Sequence, residues 1–210
     1  MEPVSPSVRV EPTPVPPPSA RLVARLAALL TRSEPPRLFG TIGRNRRLSR
    51  WWLPFAGTLL LRPRLPRPDV ELLILRTAWN CACWYEWVQH AGLATRAGLS
   101  QVEIAAVPEG MQHDRWTPRQ RVLLATCDDL HAARTISDGV WAALLAEIDE
   151  EEAIELCFLV GHYEMLAMAL NSLGVEPEPT ARRKLAGATA GAADQLRDAL
   201  LAGRARVSES

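Results

Sequence analysis

The 210-residue chain balances 24 Lys+Arg against 24 Asp+Glu, and zero net charge argues against nucleic acid as its main partner, because counterion-release binding needs a basic face. Its 48% apolar content suffices for one full core. The longest apolar run, residues 51–61, is only 11 residues and contains Pro54, short of the roughly 20 that a spanning helix needs, so no membrane segment is expected.

In chain order, the opening Met-Glu-Pro-Val-Ser-Pro lacks the basic and apolar regions of a signal peptide. Residues 1–20 hold seven prolines without apolar periodicity and read as a disordered Pro-rich arm. From about Arg21 the pattern is helical and stays so. Asn80 is a good N-cap residue, which would make Cys81 to Cys83 the first turn of a helix running to Gly98. Ser100 with Glu103, Thr117-Pro118 with Gln120, and Asp149 with Glu152 have the spacing of capping boxes. Asp138 is placed to cap residues 140–148, where Trp141, Leu144, Leu145 and Ile148 share a face, and Gly174 stands where a last helix should stop. Nothing alternates with period two for long enough to make a strand. The expectation is an all-α domain over residues 21–177 and an Ala/Arg-rich tail over 178–210 with at most one loose helix. A weak internal echo, Glu71-Leu-Leu-Ile-Leu…His90…Gly98 against Glu155-Leu-Cys-Phe-Leu…His162…Gly174, suggests two related helical hairpins. Four cysteines without framework spacing indicate a reduced, cytoplasmic protein, with Cys127 and Cys157 in the core.

The chemistry-bearing stretch is Cys81-Ala-Cys83-Trp84-Tyr85-Glu86-Trp87-Val-Gln-His90. On one continuous helix, Cys83, Glu86 and His90 fall in one stripe with Trp87 beside them. A thiol in a first turn feels the positive end of the helix dipole, which favours the thiolate; the plain alternative is a small core hydrophobe. Glu86 and His90 stand at i, i+4 as a carboxylate–imidazole pair suited to acid–base work, or as a surface pair of small energy. Cys81 points about 200° from Cys83 on such a helix and serves as a resolving thiol only if the helix begins later. Trp84, Tyr85 and Trp87 would wall a pocket, Tyr85 either bonding a substrate oxyanion or simply packing. No two histidines stand at metal-ligand spacing, so neither a metal nor a cofactor is expected. Arg44, Arg46, Arg47 and Arg50 read as a solvated face or a subunit contact.

These residues resemble the carboxymuconolactone decarboxylase and alkylhydroperoxidase D-like (AhpD-like) superfamily, over roughly residues 38–175. The resemblance rests on Leu75-Arg76-Thr-Ala-Trp79, Tyr85-Glu86-Trp87-x-Gln89-His90, Ala97-Gly98-Leu-Ser, Cys127-Asp-Asp-Leu-His131 leading to Ile136-Ser-Asp138, and Val160-Gly-His162-Tyr163-Glu-Met-Leu-Ala. It implies an all-α fold assembled into trimers or hexamers. In the peroxidase branch a glutamate precedes a Cys-x-x-Cys pair and a histidine; by that spacing Glu71 falls on the glutamate, Cys83 on the first cysteine and Glu86 on the second. The decarboxylase branch lacks the cysteines and has a glutamate four residues before its histidine, as Glu86 and His90 stand here. His131 and His162 lie in matching blocks and would line the pocket. The resemblance therefore implies catalytic residues among Cys83, Glu86, His90, Glu71 and Cys81. The reaction expected first is thiol-dependent reduction of a hydroperoxide, with a thiol or lipoylated protein as reductant. The alternatives are acid–base chemistry on a small carboxylate or lactone, and a non-catalytic oligomeric module that binds a partner.

Overall fold

The computed structural model describes residues 8–185 and 187–208, and these are all-α. In chain order the helices are α1 (Pro18–Thr31), α2 (Arg37–Gly43), α3 (Arg46–Leu61), α4 (Arg67–Asn80), α5 (Trp84–Ala97), α6 (Gln101–Ala106), α7 (Pro118–Ala133), α8 (Asp138–Leu145), α9 (Glu150–Leu173), α10 (Pro179–Arg183) and α11 (Gly187–Ser208), with a 3-10 turn, Val107–Gln112, between α6 and α7. The Val-Glu-Leu-Leu-Ile-Leu run of α4 is apolar on all sides, as a helix enclosed by others must be. Every residue from Val70 to Leu75 is buried, and α5, α7 and α9 pack around it. Arg76 extends this packing with a two-pronged bond to Asp128 of α7 at 2.7 and 2.9 Å, and donates to the Val107 and Pro108 carbonyls. Gly110 lies so close to that guanidinium that a Cβ would stand 2.7 Å from Nη2, and its φ of 65° is left-handed.

The α4–α5 link departs from the sequence expectation. Asn80 ends α4 instead of capping α5, and Cys83 is the N-cap of α5. Ala82 takes φ 47°, the Cys83 amide donates to the Ala78 carbonyl at 2.8 Å, and the Ala82 amide donates to that of Trp79 at 3.0 Å. This is the Schellman arrangement that closes a helix, with alanine where glycine is usual; without a glycine the stop left no mark in the sequence. Asn171 of α9 pins the link by donating to the Cys81 carbonyl at 2.9 Å.

All three capping boxes are present, and Gly98 and Gly174 close α5 and α9 in the left-handed conformation. Ser137, one residue before the expected Asp138, is the N-cap of α8 and makes no side-chain bond there. The α9 helix is long and apolar enough to cross a membrane by length and composition, but 56% of its most apolar window is buried inside the fold. It is one unbroken helix where the internal echo suggested a second hairpin like α4–α5.

Both ends differ from the reading as arm and tail. Residues 1–7 lie outside the described residues, but from residue 8 the Pro-rich segment is seated on the fold. The Arg9 and Val10 amides donate to the Leu173 carbonyl and the Thr13 amide to that of Gly40, while α1 starts at Pro18, earlier than expected. Proline lacks the amide needed for regular structure but docks well where its neighbours' amides find carbonyls. At the other end Glu178 is buried, accepting from the Arg37 amide, the Tyr85 hydroxyl and Gln89. Ala192, Ala193 and Leu196 of α11 are buried against α5 and α6. The C-terminal segment is part of the core, because its alanines allow close approach to α5.

Ala82→Gly is expected to raise stability by about 0.5–1 kcal/mol, the left-handed penalty of a residue with a Cβ less the entropy that glycine adds to the unfolded chain. Urea denaturation of both proteins measures this; a loss of stability would contradict the link geometry.

Candidate active site

Glu71 in the second turn of α4 has no exposed surface. Its Oε1 accepts from Arg67 Nη2 at 2.7 Å, an i, i+4 pair, and its Oε2 from His90 Nδ1 at 2.8 Å. The Tyr163 hydroxyl from α9 lies 3.2 Å from the other ring nitrogen, Nε2, with the two rings edge to face. The carboxylate can only accept, so Nδ1 carries the hydrogen and Nε2 accepts from the phenol. Burial pushes the Tyr163 phenol well up, so it keeps its proton. Arg67, Glu71, His90 and Tyr163 thus form one row across three helices.

Beside this row is a cavity of about 210 Å³ walled mainly by apolar side chains of α2, α3, α5 and α9, with Glu86, His90, His162, Tyr85 and Tyr163 among its lining. Glu86 is 2% exposed, and neither carboxyl oxygen has a hydrogen-bond partner. Burial pushes its pKa well up, which the neighbouring Cys83 thiol only partly offsets. An isolated carboxylate in such surroundings is costly, so the group holds its proton. His162 stacks on Trp52; its Nδ1 is buried without a partner, and burial first, then His90, lowers its pKa to about 4. The cavity wall therefore presents a neutral acid, an oriented imidazole, a second neutral imidazole and a phenol.

Several expected residues stand elsewhere. Cys83 is completely buried and is not among the residues lining the cavity. Burial and then the Glu86 carboxyl push its thiol well up, the reverse of the activated thiolate read from the sequence: desolvation outweighs the helix dipole. Glu86 and His90 share a wall but are not bonded to each other, since Glu71 and Tyr163 take both ring nitrogens. Trp84 and Trp87 point away from the cavity. Arg182 lies over the Trp84 ring, and Trp87 is fully buried with its Nε1 donating to the Thr189 carbonyl of α11. Two residues before Glu86 on a helix is about 200° around it. Tyr85 lines the cavity, but its hydroxyl is engaged by the Leu38 amide and Glu178, so it packs. His131 and Cys81 lie outside the cavity lining, 3.9 Å apart, with His131 bonded to Glu164. Arg67 and Tyr163 join the site without having been singled out in the sequence: the i, i+4 spacing of Arg67 to Glu71 is a signal for the first, whereas Tyr163 is marked there only as the neighbour of His162.

Because the folded chain holds the Glu86 proton to higher pH than the unfolded chain does, this residue makes stability fall as pH rises from the ordinary carboxylate range toward its raised folded value. Glu86→Gln cannot ionise and is expected to remove that slope. Its melting temperature should gain on the wild type as pH rises and fall back toward it in acid. Parallel curves over the whole range would contradict a proton held on Glu86.

Comparison with known proteins agrees with this architecture. Residues 46–129, from the start of α3 into α7, match the carboxymuconolactone decarboxylase family. No curated protein matches the chain by sequence. The crystal structure of an AhpD core, an uncharacterized peroxidase-related protein from Ralstonia eutropha JMP134, superposes with TM-score 0.73 at 18% identity, covering 86% of this chain and 96% of that one. An uncharacterized peroxidase-related protein from Silicibacter sp. TM1040 gives 0.74 at 14% identity over 86% and 96%. A cysteine-to-alanine variant of the debrominase Bmp8, in complex with 2,3,4-tribromopyrrole, gives 0.70 at 15% identity over 90% and 97%. The family match spans the helices that carry Glu71, Glu86 and His90, and the chain shares its all-α fold with these solved structures over nearly their full length.

Proposed function

We propose that the chain is a cofactor-free acid–base enzyme acting on a small, mostly apolar molecule with an enolisable carboxylate or lactone. The observation that carries this reading is the buried Glu86 carboxyl, which lines the cavity and has no hydrogen-bond partner of its own. Its proton is free to go to substrate. In the proposed reaction His90 takes a proton from the substrate at Nε2, through the Tyr163 hydroxyl, which passes its own proton on as it receives one. The Glu71 carboxylate, held by Arg67, fixes the imidazole and stabilises the imidazolium that forms. Glu86 gives its proton to the developing anion, in a site whose apolar walls strengthen both interactions. The debrominase relative holds a small ring compound, 2,3,4-tribromopyrrole, and an apolar cavity of about 210 Å³ suits small molecules of that kind.

A thiol-dependent peroxidase is the second reading, favoured by the electrostatic contact between Cys83 and Glu86. It would need Glu86 to take the thiol proton and Cys83 to become accessible, with Cys81, an external thiol or a lipoylated protein as reductant. Self-association is part of both readings and is supported by the stripe of Ile154, Phe158, Met165 and Met168, all exposed along α9, with helical spacing suited to packing on another helix.

The test pairs two assays. One is deuterium exchange and decarboxylation, followed by NMR on a panel of small γ-lactones and β-keto carboxylates; the other is consumption of cumene hydroperoxide with dithiothreitol or dihydrolipoamide. Glu86→Gln is expected to lower exchange by about 10²- to 10⁴-fold, the usual contribution of a positioned acid or base, and Cys83→Ser to leave it unchanged. The wild-type rate should fall at alkaline pH as Glu86 loses its proton, and Glu86→Gln should lack that limb. Peroxide reduction abolished in Cys83→Ser, with no exchange on any panel member, would overturn the acid–base reading.

A further inference from the structure

Outside the cavity lining, three donor atoms from three elements converge. Cys81 Sγ at the end of α4, His131 Nδ1 near the end of α7 and a Glu164 carboxyl oxygen of α9 all lie within 4.8 Å of one another. We propose that Cys81, His131 and Glu164 bind a divalent transition-metal ion of the zinc type.

The geometry distinguishes a ligand set from a nucleophile with its base. In a thiol–imidazole–carboxylate relay, the thiol and the carboxylate use opposite ring nitrogens. Here both face the same one: His131 Nδ1 is 3.9 Å from Cys81 Sγ and 2.6 Å from Glu164 Oε1. The three donors point to a common centre instead of lying along a line, and an ion can sit within such a fork. Zinc bonds of about 2.0–2.3 Å in a tetrahedron place donor atoms about 3.3–3.7 Å apart, so the thiol and imidazole are nearly in place, and Glu164 Oε1 has only to swing from the ring hydrogen to the ion. Sulfur, nitrogen and oxygen together suit zinc better than a hard cation such as magnesium or calcium.

The surroundings also fit. Arg134 holds the other oxygen, Oε2, of Glu164, leaving Oε1 to coordinate while its partner is fixed, as outer-shell groups commonly do. Cys81 and His131 are only half-buried, which gives the ion a way in from solvent and leaves room for water as a fourth ligand. A dication would replace the Cys81 thiol proton and offset both negative donors. On binding, the thiol proton and the Nδ1 hydrogen both leave to solvent and Nε2 takes one proton up, so a neutral imidazole with its hydrogen on Nε2 coordinates through Nδ1 and one proton is released in all. The ion would tie the strained α4–α5 link to α7 and α9. This inference stands independently of the acid–base reading.

The experiment is a titration of the full chain, stripped with chelator, with Co²⁺ alone and then with Zn²⁺. One equivalent of Co²⁺ is expected to give a thiolate-to-cobalt charge-transfer band and the visible bands of a tetrahedral ion, both displaced by Zn²⁺. Cys81→Ser should remove the charge-transfer band while Cys83→Ser keeps it. His131→Gln, at a half-exposed position that circular dichroism can show to leave the helices intact, should weaken Co²⁺ binding at least 10-fold. No band at one equivalent, a band lost in Cys83→Ser, or unchanged affinity in His131→Gln would overturn the proposal; the last of these decides even where Cys81→Ser does not fold.

Discussion

A carboxylate with no exposed surface sits in the second turn of the central helix, and the arrangement around it follows from the need to compensate it. Glu71 is surrounded by α4 residues that are themselves buried, so water cannot solvate it, and an unpaired charge there would cost several kcal/mol. Arg67, one turn earlier, reaches one oxygen and His90 the other. The second bond requires α5 to return close alongside α4, which the left-handed Ala82 link achieves in three residues. The ring is then fixed in one orientation, with its remaining nitrogen toward Tyr163. Removing Arg67 would leave the buried charge without its countercharge, and removing His90 would leave one carboxylate oxygen without its hydrogen bond.

The same close return divides α5 into two unlike faces. Tyr85, Glu86, Gln89 and His90 turn toward α2, α3 and α9 and line the cavity. Trp84, Trp87 and Val88 turn toward the C-terminal segment, where α10 and α11 cover them. The segment after residue 177 therefore covers the back of α5, while Glu178, near its start, holds the cavity side, its buried carboxyl gathering the Arg37 amide, Gln89 and the Tyr85 hydroxyl. A dry back wall is a condition for a neutral acid at Glu86, because water at either oxygen would solvate the ionised form.

Much of the fold was legible in the amino acids. The capping boxes are local signals, written in side chains that bond their own backbone, and the stops at Gly98 and Gly174 are local too, set by the left-handed conformation that glycine allows. The α4–α5 junction was not legible, because Ala82 adopts the conformation that glycine usually supplies. With the junction misplaced, Cys83 read as a first-turn thiol when it is a buried N-cap. Helical spacing brought Glu86 and His90 to notice and the resemblance added Glu71, and the structure gathers them at one place. Neither signal could assign partners: spacing offers Glu86 to His90, and only the packing of α4 against α5 gives His90 to Glu71 instead. The tryptophans misled for the same reason, since aromatic density near a site says nothing about which side of a helix faces the cavity. The Cys81–His131–Glu164 group lies on three elements and has no sequence spacing to betray it.

The central claim is that Glu86 is a neutral carboxylic acid in an apolar cavity beside an imidazole already committed to Glu71. Infrared difference spectroscopy of the wild type against Glu86→Gln at neutral pH tests it most directly. The account predicts a protonated-carboxyl stretching band in the wild type that is absent from the variant, shifts in deuterium oxide, and persists well above the ordinary carboxylate range. A difference spectrum showing only the bands of an ionised carboxylate at neutral pH would contradict it.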